Sequence, residues 1–276
     1  MSAPALPALL VSQWQPTAAI ALPALAAGGL YAGATRRVRE RWPRRRTLSF
    51  VAGVGCVIVA LQSGIARYDD QLLAVHMVQH MLLLLAAPLL LLGGRPWILL
   101  LSALAPEQRR PLARALQRTR AYTAPVPALA CFSAVVVLTH LPAFYDAALR
   151  SPALHAVEHG LYLLAGMLMW SPLIDGDPAP RHRLSGLGRL VYLIVAMMPM
   201  AVVGAYLNRH ATLLYPAYGP TARALGISAL DDQAQAGAIM WVLGDVIMVA
   251  VGLWAALAAM LAEERRQLAR EARTVP

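Results

Sequence analysis

The sequence predicts an all-α protein, a polytopic membrane bundle of about seven transmembrane helices. Of its 276 residues, 59% are hydrophobic and 14% are charged, and the mean hydropathy is +0.56. A bilayer span needs about 20 mostly apolar residues, and the chain contains several such stretches separated by short loops. These observations predict a single integral membrane domain over residues 1–276 and exclude a soluble domain with a large core.

Seven apolar stretches define the predicted spans. Each is long enough to cross a bilayer, and the ends are placed to within a few residues. The predicted spans cover residues 17–35, 48–65, 72–92, 125–141, 152–171, 188–207 and 233–261. Pro88 in the third span and Pro199 in the sixth predict kinks.

The distribution of arginine predicts the orientation. The net charge is +10, and the sequence contains no lysine. Arginines are concentrated in the first, third and fifth loops and in the tail, whereas the even-numbered loops carry few. The positive-inside rule therefore places the N-terminus outside and the C-terminus in the cytoplasm of a bacterial inner membrane. Loop charge of this kind sets topology, so we expect membrane lipids as neighbours and no nucleic acid as a partner.

Two histidine pairs lie inside predicted spans. His76 and His80 occur near the start of the third span, and His155 and His159 near the start of the fifth. A spacing of four residues stacks two side chains on one helix face, so each pair can hold a metal ion. Because ionisable side chains are costly in lipid, two such pairs predict a functional site.

The predicted orientation brings further polar residues to the same level of the membrane. Spans three and five both run inwards, so the two pairs lie about one to two turns below the outer surface. His140, at the end of the fourth span, and Asp232, before the seventh, are predicted as secondary metal ligands. Glu158, Gln79 and Tyr162 are predicted to support the ligands, since a carboxylate can orient a neighbouring imidazole.

The side-chain types favour copper. Imidazole suits copper, zinc, iron and nickel, and thioether sulfur favours Cu(I). Cys56 and Cys131 lie in separate apolar runs and form no CxxC motif, so no thiolate site is indicated. Copper is therefore the predicted metal, with zinc or haem as alternatives. The possible soft ligands are Met77, Met81, Met200 and Met240.

The histidines also allow other functions. Residues 155–159 match the H-x-x-E-H pattern of inverted zinc proteases, in which the glutamate activates water, so a metal-dependent intramembrane hydrolase is one alternative. A bis-histidine haem protein that carries electrons is another, because axial ligation takes one histidine from each of two facing helices. A transporter would use intramembrane acids, for which Asp245 is the candidate. Histidines can also serve only as hydrogen-bonding partners between helices.

The chain resembles the seven-helix, CtaG-type cytochrome c oxidase assembly factors. The resemblance is carried by residues 76–83 (HMVQHMLL), 158–162 (EHGLY) with 170–173 (WSPL), and 232–241 (DQAQAGAIMW). It implies a non-enzymatic role in building a haem–copper oxidase, with copper handled for its metal centre. The implied partners are oxidase subunits and a protein that donates copper.

Overall fold

The structure, a computed structural model, describes residues 13–38, 42–119, 121–174 and 184–274. All regular secondary structure in these ranges is helical, which confirms the all-α prediction. In chain order the α-helices are α1 (Ala18–Val38), α2 (Arg44–Gln62), α3 (Gly64–Tyr68), α4 (Leu73–Met81), α5 (Ala87–Gly93), α6 (Pro96–Ala103), α7 (Pro106–Thr119), α8 (Pro125–Thr139), α9 (Pro142–Arg150), α10 (Pro152–Leu173), α11 (Gly186–Arg209), α12 (Tyr218–Ala224), α13 (Ala229–Ala238) and α14 (Gly244–Thr274).

Five helical stretches are long and apolar enough to cross a membrane. They are Ala18–Val38, Arg44–Tyr68, Leu73–Ala103, Gly186–Arg209 and Ala229–Trp254. A sixth span is possible if α8 and α9 are counted together, although the chain bends by 73° between them. Helix α10 has 22 residues and is long enough to cross. It is not among the apolar five, and it carries the polar residues His155, Glu158 and His159. The described residues thus give five or six spans by this measure, compared with the seven expected.

Two of the long helices contain a π-helical turn. Leu82–Ala86 separates α4 from α5, and Ile239–Leu243 separates α13 from α14. Pro88 lies at the start of α5, so the irregularity expected there takes the form of a π-turn just before the proline. Helix α11 is continuous through Pro199. π-Turns are rare and often lie at functional sites. The first of the two directly follows the helix that holds His76 and His80.

Several predicted loops contain helices of their own. The third loop contains α6, which is apolar, and α7, which is amphipathic. The fourth loop contains α9, and the sixth contains α12. Tyr145 of α9 and Tyr218 of α12 are both fully buried, so these short helices pack onto the bundle.

Glycines allow the helices to approach closely. A Cβ atom on Gly166 of α10 would collide with the carbonyl oxygen of Leu84 and with Pro88. A Cβ atom on Gly237 of α13 would collide with the backbone of Gly204 and Asn208 in α11. These contacts hold α10 against the first π-turn and α11 against α13.

Candidate metal centre

The structure brings the five histidines of the predicted site into one cluster. His76 and His80 lie on α4, His155 and His159 on α10, and His140 directly follows α8. Within the pairs the ring centroids are 4.0 Å and 4.3 Å apart, as the four-residue spacing requires. Between the helices, the rings of His76 and His155 are 5.3 Å apart and those of His80 and His159 are 6.4 Å apart. The ring of His140 is 6.0 Å from that of His80. We call these five residues the histidine cluster.

The histidine cluster is buried on one side and open on the other. His76 and His80 are each 1% exposed and His140 is 7% exposed. His155 and His159 are half-buried, because they lie nearer the surface of the bundle. The open side is therefore the side on which α10 carries its pair.

Many nitrogen and oxygen atoms of this region have no hydrogen-bonding partner among the described residues. They include both ring nitrogens of His76 and of His80, and one ring nitrogen each of His140 and His155. Both carboxylate oxygens of Glu158 are also without a partner, and the closer one is 3.9 Å from Nε2 of His80, too far for a hydrogen bond. A buried polar atom left unsatisfied costs about 1–3 kcal/mol, so this concentration of them fits a site that binds a ligand through lone pairs.

Two groups of three residues could hold a metal ion. Asp69, His155 and His159 form one group, and His76, His155 and Glu158 form the other. Within each group, one ligand atom per residue lies within 4.8 Å of the others. His155 belongs to both groups, so the two candidate metal positions are adjacent and share this histidine.

Gln79 positions one side of the cluster, as predicted from its place beside His80. Its amide nitrogen donates to Oδ2 of Asp69 at 2.8 Å and to the carbonyl oxygen of Ala60 at 2.9 Å. Its amide oxygen is 2.9 Å from Nε2 of His159 and can only accept, so Nε2 of His159 carries the proton. The lone pair of His159 is then on Nδ1, free to bind a metal.

His140 is oriented in a comparable way. Its Nδ1 is 2.7 Å from the carbonyl oxygen of Val136, which can only accept, so the proton lies on Nδ1. The lone pair is left on Nε2, which is one of the unpartnered atoms. Tyr162, predicted to support the ligands, places its ring 4.0 Å from that of His80, and its hydroxyl hydrogen bonds to Thr139.

Four residues that the sequence did not point to complete the surroundings. Tyr145 lies 5.2 Å from the ring of His76 and shares a 3.0 Å hydrogen bond with Tyr218. The hydroxyl of Tyr218 donates to the backbone of Asp69, and that of Tyr215 donates to the backbone of His140. Burial raises the pKa of Asp69 to about 7, while the hydrogen bond from Gln79 lowers it. The only signal in the sequence was the acidic pair at residues 69–70.

Asp232 has a structural contact that its predicted role did not include. Its two carboxylate oxygens accept hydrogen bonds from the backbone N–H groups of Leu73 and Ala74, at 2.7 Å and 3.1 Å. Both oxygens therefore cap the first turn of α4, where helical N–H groups lack partners. Asp232 therefore acts on the site through α4 and is not among the proposed metal ligands.

The four methionines lie in the main apolar core. Met77, Met81, Met200 and Met240 are all less than 5% exposed, within one cluster of packed apolar side chains. Met81 and Met200 both come close to Gly244, after the second π-turn. Their role as soft ligands stays a prediction.

Taken together, the fold and the site define a helical protein with several apolar helices long enough to cross a membrane and a buried centre of imidazoles and carboxylates. The chain matches the model of the cytochrome c oxidase caa3 assembly factor family over residues 29–261, and it belongs to that family. The resemblance seen in the sequence is thereby confirmed.

Three mycobacterial proteins, all uncharacterized, are similar to this chain. Those of Mycobacterium bovis and Mycobacterium tuberculosis are each 30% identical over 255 residues, covering 87% of this chain and 38% of their own length. That of Mycobacterium leprae is 28% identical over 232 residues, covering 80% of this chain and 35% of its own. The chain thus spans less than two fifths of the relatives it matches. No solved structure matches it.

Proposed function

We propose that this chain binds copper in the histidine cluster and delivers it during assembly of a haem–copper cytochrome c oxidase. Membership of the assembly-factor family supports the assembly role. The observation that supports metal binding is the set of unpartnered ring nitrogens on two facing helices, α4 and α10. In this proposal the chain is not an enzyme, and its partners are oxidase subunits and a protein that supplies copper.

The donor atoms bear on the choice of metal. Imidazole nitrogen and carboxylate oxygen suit Cu(II) and zinc, whereas Cu(I) prefers sulfur. The methionines belong to the apolar core, so the set around His155 offers nitrogen and oxygen. We propose copper because the family assembles an oxidase of the haem–copper class, and we retain zinc as the metal to be tested against it.

The two ligand groups suggest how an ion is taken up and released. The group of Asp69, His155 and His159 includes both half-buried histidines, whereas the group of His76, His155 and Glu158 lies deeper. An ion that moves between them keeps its contact with His155 throughout. We propose that the shallower group exchanges copper with partner proteins and that the deeper group retains it.

We also propose a topology. Helix α10 would cross as a seventh span with its polar side facing the bundle, where α4 and α8 cover it. The arginine distribution then supports an N-terminus outside and a histidine cluster at the outer side of a bacterial inner membrane. Copper exchange at that side would meet an oxidising compartment.

The test compares three forms of the detergent-purified protein by elemental analysis and visible spectroscopy. They are the unaltered protein, a variant with His76, His80, His155 and His159 all changed to alanine, and the control His210→Ala. His210 lies outside the cluster and bonds only to Thr212 among the contacts of the described residues. We expect about one copper per chain in the unaltered protein and the control, and none in the fourfold variant.

The same measurement separates the alternatives. Zinc in place of copper would overturn the choice of metal, and loss of substrate turnover in Glu158→Gln with zinc retained would then identify a hydrolase. A Soret band would identify haem ligation. In cells, the fourfold variant should abolish maturation of the oxidase, whereas His210→Ala should support it. Normal maturation in the fourfold variant would overturn the proposal.

A further inference from the structure

A cavity lies at the end of α2 that is remote from the histidine cluster. It has a volume of about 570 Å³ and is bordered by the start of α2, the end of α5 and the middle of α14. Arg45 and Arg46, in the first turn of α2, line this cavity. Ala60, near the other end of α2, accepts a hydrogen bond from Gln79 of the site. Because α2 has 19 residues and a helix rises about 1.5 Å per residue, the two places are separated by most of a membrane thickness. We call this the arginine cavity.

Three arginines line the arginine cavity. Arg45 and Arg46 come from the first turn of α2, and Arg95 comes from the connection between α5 and α6. Neither Arg45 nor Arg95 forms an ion pair with a carboxylate among the described residues. The guanidinium of Arg46 is 4.7 Å from the ring centre of Trp42, which fixes its direction. Guanidinium groups remain charged at any physiological pH, so the cavity is permanently cationic.

The backbone holds Arg95 in an uncommon conformation. Its φ and ψ are 49° and 55°, in the left-handed region that residues other than glycine rarely adopt. The preceding Gly93 and Gly94 pack so closely on Ser49 and Phe50 of α2 that a Cβ atom on either would collide. Such conformations persist only where the surroundings enforce them, and they are concentrated at functional sites.

The wall also has an apolar part and lies near the end of a span. Leu89, Val251 and Trp254 line the cavity, and Trp254 is 65% exposed. Arg44, the first residue of the span Arg44–Tyr68, directly precedes the two arginines of α2 that line the cavity. Basic residues at the end of a span are typical of the membrane–water interface.

We infer that the arginine cavity binds an anionic phospholipid. The phosphate lies between Arg45 and Arg95, and one acyl chain runs along Leu89, Val251 and Trp254. Basic pockets between membrane helices have the charge and the position that anionic headgroups require. Arginines that only set topology need no cavity, no enforced backbone and no apolar wall. This site is independent of the copper function proposed above.

The experiment measures binding of short-chain phosphatidylglycerol to delipidated, detergent-purified protein by native mass spectrometry and by the shift in Tm. The test variant is Arg45→Ala with Arg95→Ala. The matched control is Arg110→Ala with Arg114→Ala, two exposed arginines of α7 that do not line the cavity. We expect phosphatidylglycerol to raise the Tm of the unaltered protein and the test variant to bind it about thirtyfold more weakly, as expected for two arginines near an anionic lipid. The control should bind within twofold of the unaltered protein.

Further arms identify the ligand and guard against misfolding. Arg45→Lys with Arg95→Lys keeps the charge and should retain most of the binding, which would show that the loss in the alanine variant is not unfolding. Trp254→Ala should weaken a long-chain lipid more than a short-chain one. The inference is overturned if phosphatidylcholine binds as tightly as phosphatidylglycerol, if inorganic phosphate raises the Tm as much as the lipid, or if the control loses as much affinity as the test variant.

Discussion

The histidine cluster and the arginine cavity lie near opposite ends of α2 and have opposite chemistry. The cluster offers buried imidazoles with free lone pairs, shielded by tyrosines and opened on one side by His155 and His159. The cavity offers permanently charged guanidiniums on an open, partly apolar surface. Lone pairs attract metal ions, and guanidiniums attract phosphates and carboxylates. One bundle therefore presents groups suited to a cation in one region and groups suited to an anion in another.

The two regions also differ in what holds their side chains in place. In the cluster, hydrogen bonds to Gln79 and to the carbonyl oxygen of Val136 fix which nitrogen of His159 and His140 is free. In the cavity, close packing at Gly93 and Gly94 fixes the backbone at Arg95. One substitution of Gln79 removes a side-chain hydrogen bond to His159, and one substitution of Gly93 or Gly94 by a larger residue disrupts the packing at Arg95. Both regions should therefore be sensitive to single changes in their surroundings.

The largest expected effect is a loss of binding that is confined to one region. Each double variant is assayed for both copper and phosphatidylglycerol. His76→Ala with His80→Ala should weaken copper binding by more than about 100-fold, the most that loss of a supporting residue costs, because it removes the α4 ligand of the deeper group and the imidazole next to it. Binding of phosphatidylglycerol should stay within about twofold. Arg45→Ala with Arg95→Ala should give the reverse. Copper affinity is measured by competition with a chelator, and lipid affinity by native mass spectrometry. If either variant changed both affinities equally, the two regions would not be separate sites.

A smaller effect is expected from Gln79→Met, which keeps the volume but removes the amide. Asp69 and His159 then lose their common partner, and Nε2 of His159 is no longer held as the protonated nitrogen. Removing such a supporting partner costs about 10–100-fold in metal affinity. Gln71→Met is the control, since among the described residues the amide of Gln71 donates to the backbone of Arg67, four residues earlier, and to no other group. Equal copper affinity in the two variants would mean that Gln79 supports the fold and not the metal.

The parts of the cluster that follow from helix periodicity could be predicted from the sequence. The pairs His76–His80 and His155–His159 share a face in any α-helix, and their depth follows from where the spans begin. Glu158 and Gln79 lie next to these histidines along the chain. The sequence left open whether the two pairs form one site or two, and the structure places the rings of α4 and α10 side by side.

The parts that depend on how loops fold back could not be predicted. Asp69, Tyr145 and Tyr218 lie in stretches that the hydropathy pattern treats as connections, and only the packing of α9 and α12 brings them to the site. The arginine cavity could not be predicted from the sequence either. Arginine in a loop has an ordinary explanation in topology, and the cavity arises from the approach of α5 to α2 at two glycines.

The smallest expected effect separates a capping carboxylate from one that binds metal. Asp232→Ala removes the acceptors of two N–H groups at the start of α4 and should lower the free energy of unfolding by about 1 kcal/mol, with copper content unchanged. Asp231→Ala is the matched control. The side chain of Asp231 is exposed, and it caps no helix among the contacts of the described residues. Stability is measured by denaturant titration in detergent, and copper by elemental analysis. Loss of copper in Asp232→Ala at unchanged stability would return Asp232 to the set of metal ligands. The expected result means instead that Asp232 contributes to the site by holding α4, and with it His76, in position.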